Sequence, residues 1–194
     1  MNICVFSSSS NALADVYVDE ARELARLIGS SGFNLVNGGS NVGLMDVVTR
    51  VAGKNGAKTI GVIPEKLRDF NLASEHAHEI IVSGDMMERK AKMRDLSDAF
   101  IALAGGFGTL EEILEVVTLK QLGYHHKAIV FINTNGFYDD LFRQFEKSFE
   151  EKFAKESYRR LYFIASDAAE AIQFITNYKP ETTENKWFEV PSRK

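Results

Sequence analysis

A carboxylate, a guanidinium and a cluster of glycines are the parts of this chain whose types and spacing could do chemistry. The stretch Ala104-Gly105-Gly106-Phe107-Gly108-Thr109-Leu110-Glu111-Glu112 follows the apolar run Ala99–Leu103 and opens a helix-patterned run ending at Leu122. Glycines between a strand and a helix let the backbone turn tightly and approach a ligand closely. The free N–H groups of the first helical turn then suit an anion such as phosphate. Glu112 falls on that turn, where its charge repels an anion unless it has a task or a partner. Upstream, Asp85 reads as an N-cap, and Met86, Arg89, Met93 and Leu96 share one helical face, with Lys90 beside it. That face reads as an inward stripe. A guanidinium in its middle requires an anionic partner, because an unpaired buried charge is very costly. Glu112, a ligand phosphate, or both would serve.

Plainer readings exist for each of these residues. The glycines could form a tight turn with no ligand. Thr109-x-x-Glu112 is a capping-box pattern, Glu111 and Glu112 complement the helix dipole, and on those residues alone capping is favoured. Arg89 could make a purely structural pair or snorkel to water. The need to pair Arg89 tips the balance toward a ligand site.

Other chemistries lose ground. Neither Gly-rich loop matches the dinucleotide fingerprint or the P-loop, which disfavours dinucleotide oxidoreduction and NTP hydrolysis. His125 and His126 are adjacent and point apart, while His76-Ala77-His78 reads as an exposed loop, so no metal site is expected. No Ser/His/Asp arrangement can be assigned, and Cys4 has no evident activating neighbour.

The elements that must position these groups alternate along the chain. Strands are expected at Ile3–Phe6, Phe33–Val36, Lys58–Ile63, Glu79–Val82, Ala99–Leu103, Ala128–Ile132 and Leu161–Ile164. Helices are expected at Ala12–Ser30, Leu44–Lys54, Met86–Leu96, Leu110–Leu122, Tyr138–Glu151 and Ala168–Thr176, with all three prolines outside the elements. The pattern predicts an α/β, Rossmann-like, doubly wound and mainly parallel sheet of about seven strands with helices on both faces. Residues 1–180 would form a single domain and 181–194, with Trp187 and Phe188, a C-terminal tail. Ligands bind at the carboxyl ends of such strands, and three of those ends carry small residues: Ser7–Ser10, Asn37-Gly38-Gly39-Ser40 and Gly105–Thr109.

Composition sets the outer limits. The chain has 194 residues, enough for one α/β domain with a core that needs no staples. A net charge of −4 with no basic block disfavours nucleic acid as a partner. One cysteine excludes an internal disulfide framework, and neither a signal peptide nor a membrane-spanning run is visible, so a cytoplasmic protein is expected.

Met86-x-x-Arg89-Lys90 together with Gly105-Gly106-Phe107-Gly108-Thr109-x-x-Glu112 resembles the signature of the LOG family, cytokinin riboside 5′-monophosphate phosphoribohydrolases long described as lysine decarboxylases. Gly38-Gly39-x-x-x-Gly43-Leu44-Met45, Gly61-Val62-Ile63-Pro64 and Gln121-Leu122-Gly123 are similar to further family segments, and the likeness spans about residues 1–150. The resemblance implies a Rossmann-like fold, a homodimer or higher homo-oligomer, no cofactor, and hydrolysis of the N-glycosidic bond of adenosine-type 5′-monophosphates to free base and ribose 5-phosphate. It implies Arg89 and Glu112 as catalytic residues, and Ser9, Gly38, Gly39, Lys90, Gly105, Gly106, Phe107, Gly108, Thr109 and Thr118 as substrate-binding ones. The chain departs from the family pattern at Ala104, Ser8, Ser40 and Asp46, changes that bear on pocket shape more than on the bond cleaved. Two rival expectations are a non-catalytic nucleotide-binding module and a pyridoxal-phosphate decarboxylase. The latter needs a Schiff-base lysine, and none can be assigned.

Overall fold

The computed structural model describes residues 1–181. Its seven strands are β1 (Asn2–Phe6), β2 (Asn34–Asn37), β3 (Thr59–Pro64), β4 (Glu79–Ser83), β5 (Ala99–Ala102), β6 (Ala128–Ile132) and β7 (Phe163–Ala165). All neighbours run parallel, in the order β4-β3-β2-β1-β5-β6-β7. The chain therefore winds outward from β1 to β4, returns to lay β5 against the other side of β1, and continues to β7. The order reverses between β1 and β5, and in open α/β sheets ligands sit outside the carboxyl ends of the strands at that reversal.

The helices are α1 (Asp15–Ser30), α2 (Gly43–Lys54), α3 (Glu65–Asp69), α4 (Met86–Asp95), α5 (Phe107–Gln121), α6 (Asp139–Glu150) and α7 (Ala168–Asn177). Alternation along the strands feeds two cores. Ile3 and Val5 of β1 pack with Ala21, Leu24 and Ile28 of α1, Leu44 and Val48 of α2, and Ile172 of α7. Cys4 and Phe6 pack with Met93 of α4, Ile113 and Val116 of α5, and Phe142 of α6. Both sheet faces are covered, which is why the strands read as near-continuous apolar runs.

Several boundaries differ from expectation. α1 starts at Asp15 rather than Ala12, because the Ser8 and Ser10 hydroxyls accept the backbone N–H groups of Ser10 and Ala12 at 3.1 and 3.2 Å and hold that stretch in turns. Leu161 ends a 3₁₀ segment, Glu156–Leu161, instead of opening the last strand, and is buried with Phe149 and Tyr158. Pro64 is the last residue of β3 rather than outside it, a position where its missing N–H interrupts no interior ladder. The short α3 buries no residue, so no apolar stripe announced it. Of the expected tail, residues 182–194, Trp187 and Phe188 included, lie outside the described residues. Among the described residues no helix is long and apolar enough to cross a membrane.

Candidate active site

The site is built where α4 and α5 meet the carboxyl ends of β2 and β3. Asp85 caps α4, its carboxylate accepting the Glu88 N–H at 2.8 Å, and the Glu88 carboxylate reaches back to the Gly84 N–H at 2.6 Å. That anchored start turns Arg89 toward the sheet. Arg89 Nε donates to the Val62 carbonyl of β3 at 3.0 Å, and Nη1 donates to Glu112 Oε1 at 2.6 Å. The two side chains are 8% and 11% exposed, so this is a buried, charge-assisted pair. Met93 is fully buried beneath them, as the stripe required. Met86 is not: as the first residue of α4 it stands about half-exposed, so the inward face begins only at Arg89.

The capping-box reading of Thr109 and Glu112 is overturned. α5 begins at Phe107, its N-cap is Gly106, and no side chain caps it. Thr109 is buried in the first turn against Gly105, where a Cβ at Gly105 would overlap its hydroxyl. Glu112 consequently lies in the second turn and bonds Arg89 rather than the helix start. Gly106 and Gly108 face open space with no heavy atom within 4 Å of a Cβ placed on either. An uncapped helix N-terminus flanked by two open glycines leaves backbone N–H groups of the kind that suit an anion.

The β2 loop closes the other side. A Cβ at Gly38 would fall within the Arg89 guanidinium, so the guanidinium rests on the Gly38 backbone. Gly39, at φ +67°, lies against Gly61 of β3; a Cβ on Gly61 would come within 2.6 Å of the Gly39 Cα, so both glycines are needed for this approach. The β1 loop joins through the Leu44 N–H, which donates to the Ser8 carbonyl at 2.9 Å, and the Gly43 N–H, which donates to Asn11 Oδ1 at 2.8 Å.

Burial is the main influence on Glu112 and pushes its carboxyl above the ordinary range, while Arg89 pulls it back down. Cys4 lies beneath the pair with its thiol driven far up by burial, so it carries no thiolate to compete as a nucleophile. Lys90 is held by Glu111 and by Glu115 at 3.5 Å, and Glu111 raises its pKa. Arg94 joins Glu115 at 2.8 Å, so α4 and α5 are laced together by charge alongside Arg89.

Gly38 thus lies against Arg89 with Gly39 beside it in the same turn, and Gly105, Gly106, Phe107, Gly108 and Thr109 make up the start of α5, one turn before Glu112. Phe107 is 93% exposed, and Ser9 is exposed on the β1 loop. Thr118 stands apart: six residues past Glu112 it is turned roughly 240° around α5 and lies about 9 Å further along it. Sequence reasoning placed Asn37 in the β2 loop and Gly61 in a family segment without giving either a role in the site, and it missed the Val62 carbonyl. Asn37 had a signal, since Asn before Gly-Gly is turn chemistry; a main-chain carbonyl leaves none.

A family model described as "Possible lysine decarboxylase" matches residues 45–175. The chain is 40% identical over 178 residues to cytokinin riboside 5′-monophosphate phosphoribohydrolase LOG5 of Arabidopsis thaliana, covering 92% of this chain and 78% of that protein. It is 38% identical over 179 residues to LOG2 of the same plant, covering 92% and 84%. Among solved structures, the molybdenum cofactor binding protein of Rippkaea orientalis superposes with a TM-score of 0.70 at 25% identity, over 90% of this chain and 94% of that one. The Moco carrier protein of Chlamydomonas reinhardtii, at 24% identity and a TM-score of 0.68 over 90% and 94%, shares the fold. The chain belongs to the LOG family, whose model keeps the older lysine decarboxylase description.

Proposed function

We propose that this protein hydrolyses the N-glycosidic bond of adenosine-type nucleoside 5′-monophosphates, N6-modified ones included, releasing free base and ribose 5-phosphate. The observation that carries the reading is the buried Arg89–Glu112 pair beside the open, uncapped start of α5. The 5′-phosphate takes the α5 N-terminus, accepting hydrogen bonds from its free N–H groups, and so fixes the ribose relative to Glu112. As the C1′–N bond breaks, positive charge grows on the ribose, and the Glu112 carboxylate stabilises it. The same carboxylate orients the attacking water and accepts its proton as the oxygen bonds to C1′, while the base departs with the C1′–N electron pair and takes up a proton from solvent to become the free base. A carboxyl lifted above its ordinary range by burial is better matched to that proton than a solvated one. Arg89 holds Glu112 in place and ionised.

The cluster of named relatives, nucleotide hydrolases by name, supports the bond type. Further parts of the reading are a homodimer or larger homo-oligomer and a cytoplasmic location. Met86, Met87 and Phe107 stand exposed on the first turns of α4 and α5, an apolar rim of the kind a second copy would cover. The test of the activity is incubation of the purified protein with AMP and with N6-isopentenyl-AMP, followed by chromatography for free base. Glu112→Gln keeps the shape of the pair and an acceptor for Arg89 but loses the base. It is expected to lower kcat by at least about 100-fold while nucleotide binding stays measurable. Full turnover in that variant removes Glu112 from the chemistry, and binding without turnover in the wild type makes the protein a nucleotide-binding module.

A further inference from the structure

We propose that Asn37 is a positioning residue for the Arg89–Glu112 pair, acting through the Gly38-Gly39 turn on which the guanidinium rests. The inference builds on the reading of that pair as catalytic. Asn37 ends β2 and is 1% exposed. Its Nδ2 donates to Thr49 Oγ1 at 2.8 Å and to the Met45 carbonyl at 3.3 Å, while its Oδ1 accepts the Gly39 N–H at 2.9 Å. The Thr49 hydroxyl in turn donates to the Met45 carbonyl at 2.8 Å, so the amide is locked to the first turns of α2. Every strong bond Asn37 makes either grips α2 or grips the turn. A buried polar network satisfied in this way has one geometry rather than several.

The other boundaries of the turn are equally rigid. The Gly39 carbonyl accepts the Ser74 N–H at 2.9 Å, Ser40 bridges Ala73, and Gly39 backs onto Gly61. Gly38 is the part left facing Arg89. The guanidinium is tied on two sides, Nε to Val62 and Nη1 to Glu112, and its Nη2 lies against Gly38. Where Gly38 sits therefore sets how deep the guanidinium can lie, and hence how squarely it meets Glu112. Asparagine suits the task because one short side chain must donate to α2 and accept from Gly39 at once. A hydroxyl supplies the acceptor but not the two donors, and a glutamine is one methylene too long.

The test uses Asn37→Ser, which can still accept from the Gly39 N–H, and Thr49→Val, which keeps the shape but removes the shorter of the amide's two bonds to α2. Steady-state release of base from AMP and N6-isopentenyl-AMP is measured across pH, at temperatures well below each variant's melting point. Loss of registry near an ångström lowers kcat by about 10- to 100-fold, with a smaller loss for Thr49→Val. The groups facing Glu112 are Arg89 and Lys90 from α4, Glu111 on its own helix and Cys4 from β1. Of these only Arg89 is displaced, so Glu112 loses stabilisation of its charged form and the acid limb of kcat moves to higher pH. A purely structural Asn37 would lower the melting temperature and leave both kcat and that limb where they are, which overturns the proposal. If Asn37→Ser does not fold, Thr49→Val decides by the same two readouts. A wild type that releases no base from either substrate overturns the catalytic reading together with this one, whereas an active wild type with unchanged variants overturns this one alone.

Discussion

Replacing Gly38 by alanine puts a methyl group where the Arg89 guanidinium lies, with Nη2 the first atom met, Cζ 3.1 Å away and the Met45 sulfur at 2.9 Å. The backbone of Gly38 is outside the left-handed region, so alanine meets no conformational penalty there and the effect is steric alone. Ordinary carbon–nitrogen contact is about 3.5 Å, which obliges the guanidinium to retreat by more than about 1 Å. It cannot do so freely, because Nε is bonded to Val62 at 3.0 Å and Nη1 to Glu112 at 2.6 Å. Moving away stretches one or both beyond hydrogen-bond range. A misplacement of about 1 Å in a catalytic group costs on the order of 100-fold in rate, equivalent to about 2.7 kcal/mol of transition-state stabilisation. Overpacking of a close-fitted site destabilises the fold by about 1–3 kcal/mol besides. The assay pairs kcat for base release with a denaturant or thermal melt. Gly38→Ala is expected to melt at a lower temperature and to turn over about 100-fold more slowly. A variant with wild-type kcat would show that the guanidinium can leave its seat without consequence, and would refute the role given to Arg89.

Two further perturbations test other parts of the molecule. Gly108 lies in the first turn of α5 and opens onto empty space; Gly108→Ala is expected to stabilise the helix by up to about 1 kcal/mol while weakening binding of the nucleotide. Higher melting temperature with unchanged KM would place the phosphate elsewhere. His125 is half-buried, with Nε2 2.9 Å from the Val116 carbonyl and Nδ1 accepting the Lys127 N–H, and burial lowers its pKa to about 4. The unfolded chain takes up that proton near pH 6.5 and the folded one near 4, so the stability given by the neutral ring is complete above 6.5 and is lost as pH falls toward 4. His125→Gln is expected to flatten the stability profile between those values in pH-dependent unfolding; an equally steep profile would assign the acid sensitivity to other groups.

Much of this protein was determined by local sequence. Short apolar runs such as Ala128–Ile132 and Ala99–Ala102 read as strands buried on both faces, and their alternation with amphipathic helices points to a parallel doubly wound sheet as the packing that covers them. Asp85 announced the start of α4, since a cap and the helix it begins are neighbours in the chain. The inward face of Arg89 and its need for an anion were equally legible, because helical spacing and the cost of a buried charge are local facts. Tertiary structure decided what answered that need. Glu112 is 23 residues away, and the same Thr109-x-x-Glu112 spelling also suits a capping box. Only the start of α5 at Phe107 and its placement within side-chain reach of α4 moved Glu112 off the helix end and onto the guanidinium. The seat of Arg89 on Gly38, its bond to the Val62 carbonyl and the capture of Lys90 by Glu111 and Glu115 have the same origin. Main-chain atoms and surface charges carry no address in the sequence, and their partners are chosen by the way the sheet twists and the helices lie across it.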